Sequence, residues 1–313
     1  MNTFYVILGI AVFVLLLLLF FGYCAYRIAF KYRTSADEDP FNTLDRHPEF
    51  MAVRQEYIKS IIEKPYEAVR IKSRDGLVLF ARYYHVKDGA PLEIQFHGYR
   101  GLSVRDLSAS GKECHISGYN LLLVDQRAHG NSEGSVITFG IKERFDCLDW
   151  VDWAVSRFGR EQKIILYGIS MGAATVIMAA GEPLPDNVVG VIADCPYSSA
   201  TDIIARVGKR LHIPAPITRI IAPIGARVFG GFNLNESSPV RAARRTDLPI
   251  LLIHGEADNF VPCDMSREIY AANRNIELFT VPGAGHGFAF LVDTEGYRAR
   301  VEAFLRRVTG ENN

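Results

Sequence analysis

The sequence has no surplus of charge of either sign. Its 313 residues contain 35 Lys and Arg against 35 Asp and Glu, which gives a formal net charge of zero. This balance argues against a nucleic-acid partner, because binding to phosphates requires an excess of cations. Hydrophobic residues make up 49% of the chain. Such a content excludes an intrinsically disordered protein, which combines low hydrophobicity with high net charge.

Cysteine is scarce and scattered. The sequence has no Cys-x-x-Cys pair, and its cysteines are Cys24, Cys114, Cys147, Cys195 and Cys263. Structural zinc sites and secreted disulfide frameworks use cysteines that are paired or regularly spaced. We therefore expect no metal site and a reducing environment.

A single long hydrophobic segment lies at the N-terminus, from Phe4 to Tyr26, and includes the run of leucines from Leu15 to Leu19. As a helix it would measure roughly 35 Å, enough to cross a hydrocarbon core about 30 Å thick. A cleaved signal peptide is the alternative, but it would have a basic start, a shorter apolar stretch and a small-residue cleavage site. This sequence has no basic start and no such cleavage site, and its apolar stretch is longer than that of a signal peptide. We predict that residues 1–33 are a transmembrane anchor with its basic flank.

Cations follow this segment in the sequence and none precedes it, since Arg27, Lys31 and Arg33 lie on its C-terminal side. By the positive-inside rule, that side faces the cytoplasm. The sequence therefore predicts a single-pass protein of the cell membrane whose large domain is cytoplasmic. Residues 34–65, which are polar and contain proline, are predicted to form a connector with some helix.

From residue 66 onward, short β-type runs alternate with helix-type segments. This alternation is typical of an α/β fold in which helices flank both faces of a mostly parallel sheet. Asp75-Gly76 between two β-type runs predicts an opening hairpin. Residues 200–246 are too long for an ordinary connection and contain helix-like pieces, so we predict a helical lid insertion within a domain at 66–313. The strands after the hairpin are predicted at 92–96, 120–125, 163–167, 188–193, 249–253 and 276–281.

The segment Gly168-Ile169-Ser170-Met171-Gly172 lies between a predicted strand and a predicted helix. A G-x-S-x-G sequence in this context is typical of a nucleophile elbow, a sharp turn that lifts the serine hydroxyl above the sheet. The serine backbone is strained in such a turn and its neighbours approach closely, so the flanking residues must be small. We predict Ser170 as the nucleophile and the backbone N–H of Met171 as an oxyanion donor.

A serine hydroxyl needs a base within hydrogen-bond reach, and the base needs a carboxylate that orients it. His286 follows the last predicted strand on a glycine-rich loop, and Asp258 follows the preceding strand. We predict these two residues as base and acid, with Glu256 as an alternative for the acid. The chain order serine, aspartate, histidine is that of the α/β-hydrolase triad.

The loop after the strand that ends at Phe96 contains His97-Gly98-Tyr99-Arg100-Gly101. The backbone N–H of Tyr99 is predicted as the second oxyanion donor. We interpret His97 as a structural residue that supports this loop. The charged segment 125–130 is likewise interpreted as a buried polar network rather than as a second site.

Taken in this order, the motifs resemble those of the α/β-hydrolase superfamily over residues 66–308. The chain looks closest to the membrane-anchored bacterial hydrolases of the Bem46 and serine aminopeptidase-like groups. It departs from their usual pattern at Gln126 and Ala128, within a structural loop. The resemblance implies an α/β-hydrolase fold that uses no metal and no organic cofactor. The site residues that it implies are Ser170, Asp258 and His286 as the catalytic triad, with Tyr99 and Met171 as oxyanion donors.

The hypothesis for function is a serine hydrolase that cleaves carboxylic ester, thioester or lipid acyl bonds in a small-molecule or lipid substrate. An aminopeptidase or amidase of the same fold is an alternative, although the predicted lid offers few acids to recognise an ammonium group, Asp202 and Glu236. A membrane-tethered binding module without catalysis is a further alternative. We predict that deletion of residues 1–33 leaves the hydrolysis of soluble esters intact, and a folded but inactive domain would make the segment more than a tether.

Overall fold

The computed structural model describes residues 3–33, 38–41 and 48–310. Within these residues, eight strands form one sheet. The strands are Glu67–Lys72 (β1), Val78–Tyr84 (β2), Leu92–Phe96 (β3), Asn120–Asp125 (β4), Ile164–Ile169 (β5), Val188–Asp194 (β6), Ile250–Gly255 (β7) and Ile276–Val281 (β8). Their order across the sheet is β1-β2-β4-β3-β5-β6-β7-β8. The β1–β2 and β2–β4 pairs are antiparallel, and the other neighbouring strands are parallel.

This sheet confirms the predicted α/β architecture. β1 and β2 form the predicted hairpin, and Gly76 in its turn has φ = 95°, a left-handed conformation that glycine adopts without a Cβ clash. Every residue of β3 and β4 is buried, which explains the apolar run from Leu121 to Val124 in β4, whereas β3 buries the polar Glu93 and Gln95 as well. Because parallel strands end at the same edge of a sheet, the loops that follow β3, β5, β7 and β8 lie together.

Helices cover both faces of the sheet. In chain order they are Thr3–Ala25 (α1), Met51–Ile62 (α2), Ser103–Asp106 (α3), Ser108–Ile116 (α4), Glu143–Phe158 (α5), Met171–Ala180 (α6), Ala200–Arg210 (α7), Ala215–Val228 (α8), Pro239–Ala243 (α9), Cys263–Tyr270 (α10), Ala289–Val292 (α11) and Thr294–Thr309 (α12). α5 and α6 pack on one face, where Trp150 is fully buried. α4 and α12 pack on the other face, where Phe304 and Leu305 are buried.

The N-terminal helix α1 is long and apolar enough to cross a membrane, by length and composition. Most of its side chains are exposed, but its C-terminal end joins the globular fold. A π-helical turn, Tyr26–Phe30, continues α1, and the ring of Phe30 is fully buried against Phe139 and Phe232. Deletion of residues 1–33 would therefore remove a buried aromatic ring, and the expected activity of the shortened protein stays a prediction.

The connector predicted at 34–65 lies partly outside the described residues, at 34–37 and 42–47. Its last part is helix α2, which packs against α4 and buries Ile58 and Ile61 completely. The helix expected within the connector is therefore confirmed, and it forms part of the layer that covers the sheet.

The insertion predicted at 200–246 lies between β6 and β7 and contains α7, α8 and α9. Ile203 of α7 and Ala222 of α8 are buried in the core. α8 also packs against α1, and a Cβ added at Gly225 would overlap the carbonyl oxygen of Gly22. The insertion thus packs against the N-terminal helix, whereas its opening as a lid stays a prediction.

Candidate active site

Ser170 lies at the sharp turn between β5 and α6. Its backbone has φ = 56° and ψ = −113°, a combination that residues with a Cβ adopt only under strain. A Cβ at Gly172 would overlap the carbonyl oxygen of Phe96, and a Cβ at Gly168 would overlap the backbone of Gly172. The expected backbone strain and the expected need for small neighbours are both confirmed.

His286 connects Ser170 to Asp258. Nε2 of the imidazole lies 2.9 Å from Oγ of Ser170, and Nδ1 lies 2.6 Å from Oδ2 of Asp258. Both distances are within hydrogen-bond range. A carboxylate only accepts, so Nδ1 carries the ring proton and donates it to Asp258, which leaves Nε2 able to accept the serine hydroxyl. The structure therefore brings together the three side chains that the sequence predicted as a triad.

The side chain of Asp258 is completely buried. Its Oδ1 accepts the backbone N–H groups of Phe260 and Val261 at 2.8 and 2.9 Å, and its Oδ2 also lies 3.3 Å from Nε2 of His254. Burial by itself raises the pKa of a carboxyl group, but the hydrogen bonds from His254 and His286 outweigh it and hold the pKa of Asp258 well below its usual range. These contacts favour the carboxylate form of Asp258.

His254 supports this carboxylate, and the sequence patterns did not single it out. The ring is fully buried, with Nε2 donating to the carbonyl oxygen of Val261 at 2.8 Å and Nδ1 lying 2.6 Å from Oγ of Ser266. These two contacts hold the ring beside Asp258. A histidine at the end of a strand is a weak signal, because such residues are common in cores.

Glu256, the alternative acid, is placed differently. It is exposed, and its Oε1 accepts the hydroxyl of Thr280 at 2.8 Å. The carboxylate that contacts His286 is that of Asp258.

The backbone N–H groups of Tyr99 and Met171 approach Ser170 from two loops. Met171 is the first residue of α6, a position at which backbone N–H groups have no acceptor within the helix. The loop of Tyr99 passes close to the serine, since a Cβ added at Gly98 would lie 3.6 Å from Cβ of Ser170. Within residues 3–33, 38–41 and 48–310, neither N–H donates to a backbone carbonyl outside the regular helices and strands. The assignment of these two N–H groups as oxyanion donors stays a prediction.

His97 is a structural residue, as expected. Its Nδ1 donates to the carbonyl oxygen of Gly98 at 2.8 Å, and its Nε2 accepts the backbone N–H of Gln126 at 3.0 Å. His129 accepts the backbone N–H of Arg100 at 3.2 Å. A ring nitrogen that accepts an N–H carries no proton, so both contacts require neutral rings, and burial lowers the pKa of both histidines in the same direction. This buried network confirms the structural interpretation and fixes the shape of the loop that carries Tyr99.

Two cavities meet at Ser170. One has a volume of about 260 Å³, and its walls are almost entirely apolar, with Ile204 of α7 and Ile221 of α8 among them. The other has a volume of about 330 Å³ and walls that include charged groups, such as Arg105 and Arg298. The serine hydroxyl therefore has an apolar space and a more polar space within reach.

One group of potential metal ligands occurs in the part of the chain that the structure describes: atoms of Cys195, Asp258 and His286 lie within 4.8 Å of one another. The carboxylate and the imidazole are already hydrogen-bonded to each other, and the imidazole also to Ser170. Burial and nearby carboxylates raise the pKa of the Cys195 thiol well above its usual value, which disfavours the thiolate that a metal would need. The group suits proton transfer better than metal binding.

The sheet is mostly parallel, a serine lies at a strained strand-to-helix turn, and an acid and a histidine lie on the loops after the last two strands. Together these features define an alpha/beta hydrolase. The chain belongs to the Alpha/beta hydrolase family, whose family model matches residues 96–300. The resemblance inferred from the sequence motifs is thereby confirmed.

Relatives occur in bacteria and in yeast. The uncharacterised protein YqkD of Bacillus subtilis (strain 168) is 28% identical over 190 residues, which cover 60% of this chain and 62% of YqkD. The uncharacterised membrane protein YNL320W of Saccharomyces cerevisiae is 25% identical over 190 residues, which cover 60% of this chain and 61% of that protein. The matches thus span about three fifths of the length of these curated relatives. Among solved structures, the Pyrococcus furiosus esterase Pf2001 is 26% identical with a TM-score of 0.65, over 78% of this chain and 93% of the esterase.

Proposed function

We propose that this protein is a serine hydrolase that cleaves carboxylic ester, thioester or lipid acyl bonds through an acyl-enzyme on Ser170. One observation carries the proposal. Oγ of Ser170 lies 2.9 Å from Nε2 of His286, whose other ring nitrogen is held by a buried carboxylate. A hydroxyl group is a weak nucleophile, and an adjacent, oriented base is what makes acyl transfer through it possible.

In the first half of the reaction, Oγ of Ser170 forms a bond to the acyl carbonyl carbon while its proton moves to Nε2 of His286. Asp258 stabilises the imidazolium, and the backbone N–H groups of Tyr99 and Met171 stabilise the negative charge on the former carbonyl oxygen. The bond to the leaving alcohol then breaks, and His286 donates its proton to the alcohol oxygen. Water attacks the acyl-enzyme in the same way, with His286 accepting its proton and returning one to Ser170 as the acid leaves.

As the substrate, an acyl ester is favoured over a peptide with a free amino terminus. Recognition of an ammonium group would require an available carboxylate, but Asp202 accepts a hydrogen bond from Arg219 at 3.0 Å and Glu236 accepts one from Arg144 at 2.6 Å. The apolar cavity beside Ser170 suits a hydrocarbon chain instead, and the more polar cavity suits a leaving alcohol. The similarity to the Pyrococcus esterase supports the same choice.

We also propose that α1 anchors the protein in the cell membrane with the hydrolase domain in the cytoplasm. The length of α1 and the cations Arg27, Lys31 and Arg33 that follow its apolar part support this topology. The yeast relative is also described as a membrane protein. Protease added outside intact cells should leave the domain uncut, and digestion from outside would contradict the orientation.

The test of the reaction uses the full-length protein in lipid nanodiscs, with p-nitrophenyl esters and p-nitroanilides that carry the same acyl groups. We expect the esters to be cleaved, and Ser170→Ala to reduce the rate by a factor on the order of 10⁴ to 10⁶. Faster cleavage of the anilides would favour an amidase. A folded protein that cleaves neither substrate, and that a fluorophosphonate does not label at Ser170, would favour a binding module.

A further inference from the structure

The apolar cavity beside Ser170 has one wall that comes from the N-terminal helix. This wall consists of the C-terminal end of α1 and the π-helical turn that continues it, from which Phe21, Cys24, Ala25 and Ile28 line the cavity. Their spacing of i, i+3, i+4 and i+7 places them on one face of a helix. The facing walls come from α7 and α8, and Ser170 closes the cavity at the reacting end.

Direct contacts hold this wall in place. Gly22 packs so closely against Gly225 of α8 that a Cβ on Gly225 would overlap the Gly22 carbonyl oxygen. Close approach at small residues is typical of helices that pack within membranes. The hydroxyl of Tyr99 donates to the carbonyl oxygen of Ala29 at 2.9 Å, which connects the wall to the loop of the oxyanion donor. The wall is therefore a fixed part of the site.

The rim of the cavity next to α1 is apolar and exposed. Phe21 and Ile28 are 49% and 56% exposed, and Leu211 at the end of α7, which also lines the cavity, is 54% exposed. Towards the N-terminus, the side chains of α1 remain apolar and exposed along the candidate membrane span. Such a surface is unfavourable in water, whereas in a bilayer it joins the cavity to the hydrocarbon.

We propose that α1 is the acyl-selecting wall of the active site, and that the substrate is a fatty acyl ester whose chain enters the cavity from the bilayer along α1. Phe21, Cys24 and Ile28 are then specificity-determining residues that contact the chain and not the reacting carbonyl. The assignment rests on the proposed function, because it gives the cavity to the acyl group that Ser170 attacks.

The test uses the full-length protein in phosphatidylcholine nanodiscs, with 4-methylumbelliferyl esters from acetate to oleate. Cys24→Trp fills the cavity beside α1 and should slow cleavage of the oleate ester about tenfold or more, with the acetate ester within about twofold of wild type. Leu16→Trp is the matched control, because it adds the same ring at an exposed position of the same helix. Its chain-length profile should equal that of the wild type. Fluorophosphonate labelling of Ser170 checks that each variant has a folded site.

A chemical version of this test needs no bulky substitution. Cys24 is half-buried, whereas the other four cysteines are buried. Its thiolate attacks the sulfenyl sulfur of an alkyl methanethiosulfonate, which forms a mixed disulfide and releases methanesulfinate. The decyl adduct should block cleavage of the oleate ester, the methyl adduct should have little effect, and Cys24→Ala should resist both reagents.

The outcomes separate this inference from the proposed function. An unchanged chain-length profile in Cys24→Trp, with Ser170 still labelled, would overturn the inference and leave the hydrolase standing. Failure of the wild-type protein to cleave any ester would overturn the proposed function itself. We expect the oleate ester to be cleaved faster from nanodiscs than from serum albumin, and equal rates would overturn entry from the bilayer.

Discussion

The hydroxyl group of Tyr99 donates a hydrogen bond to the carbonyl oxygen of Ala29, 2.9 Å away. Tyr99 carries one of the backbone N–H groups that we assign to the oxyanion, and Ala29 lies just beyond the apolar helix α1. The neighbouring Arg100 donates to the carbonyl oxygen of Ile28 at 2.6 Å. Burial raises the pKa of Tyr99 to about 12, so its hydroxyl keeps the proton that it donates. The N-terminal segment and the loop at the reacting centre are therefore one structural unit.

Phe30→Ala should destabilise the fold, because the Phe30 ring is fully buried against Phe139 and Phe232. Removal of a buried aromatic ring of this kind costs about 3–5 kcal/mol. Phe13 of α1 is exposed, so Phe13→Ala is the control and should change the free energy of unfolding by less than about 0.5 kcal/mol. Thermal unfolding of both variants in one detergent measures the difference. Equal stabilities would mean that the N-terminal segment is only a tether.

Gly225→Ala should destabilise the protein, although alanine usually stabilises a helix relative to glycine. In a helix interior, alanine is favoured over glycine by about 1 kcal/mol. At Gly225 the added Cβ would overlap the carbonyl oxygen of Gly22 and force α8 away from α1, so we expect a lower Tm. Gly9→Ala is the control, because nothing lies within 4 Å of a Cβ added there, and its Tm should not fall. A Tm for Gly225→Ala as high as that of the control would argue against the helix contact.

Asp258→Asn should lower kcat by about 10⁴ and leave KM nearly unchanged, because the amide favours the wrong tautomer of His286 and does not stabilise its cation. Glu256→Gln is the matched control, since Glu256 is exposed and contacts Thr280 instead. The control should keep the wild-type kcat. Steady-state ester hydrolysis by the two variants measures kcat. A loss of kcat in Glu256→Gln alone would mean that Glu256, and not Asp258, is the acid of the triad.

Glu93 should make stability depend on pH. It is buried in β3, where burial raises its pKa to about 7 and the hydrogen bond from Gln95, at 2.6 Å, opposes only part of that effect. An unfolded glutamate has a pKa of about 4.3, so the folded state binds the proton more tightly. Proton binding by Glu93 therefore stabilises the folded state. This contribution is complete below about pH 4 and is lost as the pH rises through about 7.

Glu93→Gln removes this titration and supplies the comparison. Between about pH 5 and about pH 8, wild-type stability relative to the variant should fall by roughly 2–3 kcal/mol. Denaturant unfolding across this range measures the difference. If the free energies of unfolding of the two proteins changed in parallel with pH, Glu93 would already be ionised in the folded state.

Much of the fold could be predicted because the sheet imposes a recognisable pattern. The run 120–125 is buried at every position, and its continuous apolar core of Leu-Leu-Leu-Val predicted the strand. The positions of Asp258 and His286 followed from chemistry, since a serine at an elbow needs a base and an acid at the same sheet edge. Their contacts, in contrast, are a property of the folded loops.

The docking of α1 could not be predicted from its sequence. Leu16, which is exposed, and Phe21, which lines the cavity, are both apolar, so composition does not separate a side chain that faces outward from one that lines the active site. The contact of Gly22 depends on Gly225, which is far away in the chain. His254 was missed for a related reason, because its role depends on the fold of the loop that contains Asp258.

The central claim is that Ser170 accepts the acyl group of an ester, and mass spectrometry tests it most directly. Full-length protein in nanodiscs is mixed with p-nitrophenyl decanoate, quenched in acid within one turnover and digested. We expect a decanoyl group on the peptide that contains Ser170, and no such adduct in Ser170→Ala. An acyl group on another residue, or equal rates of p-nitrophenol release by the two proteins, would contradict the account.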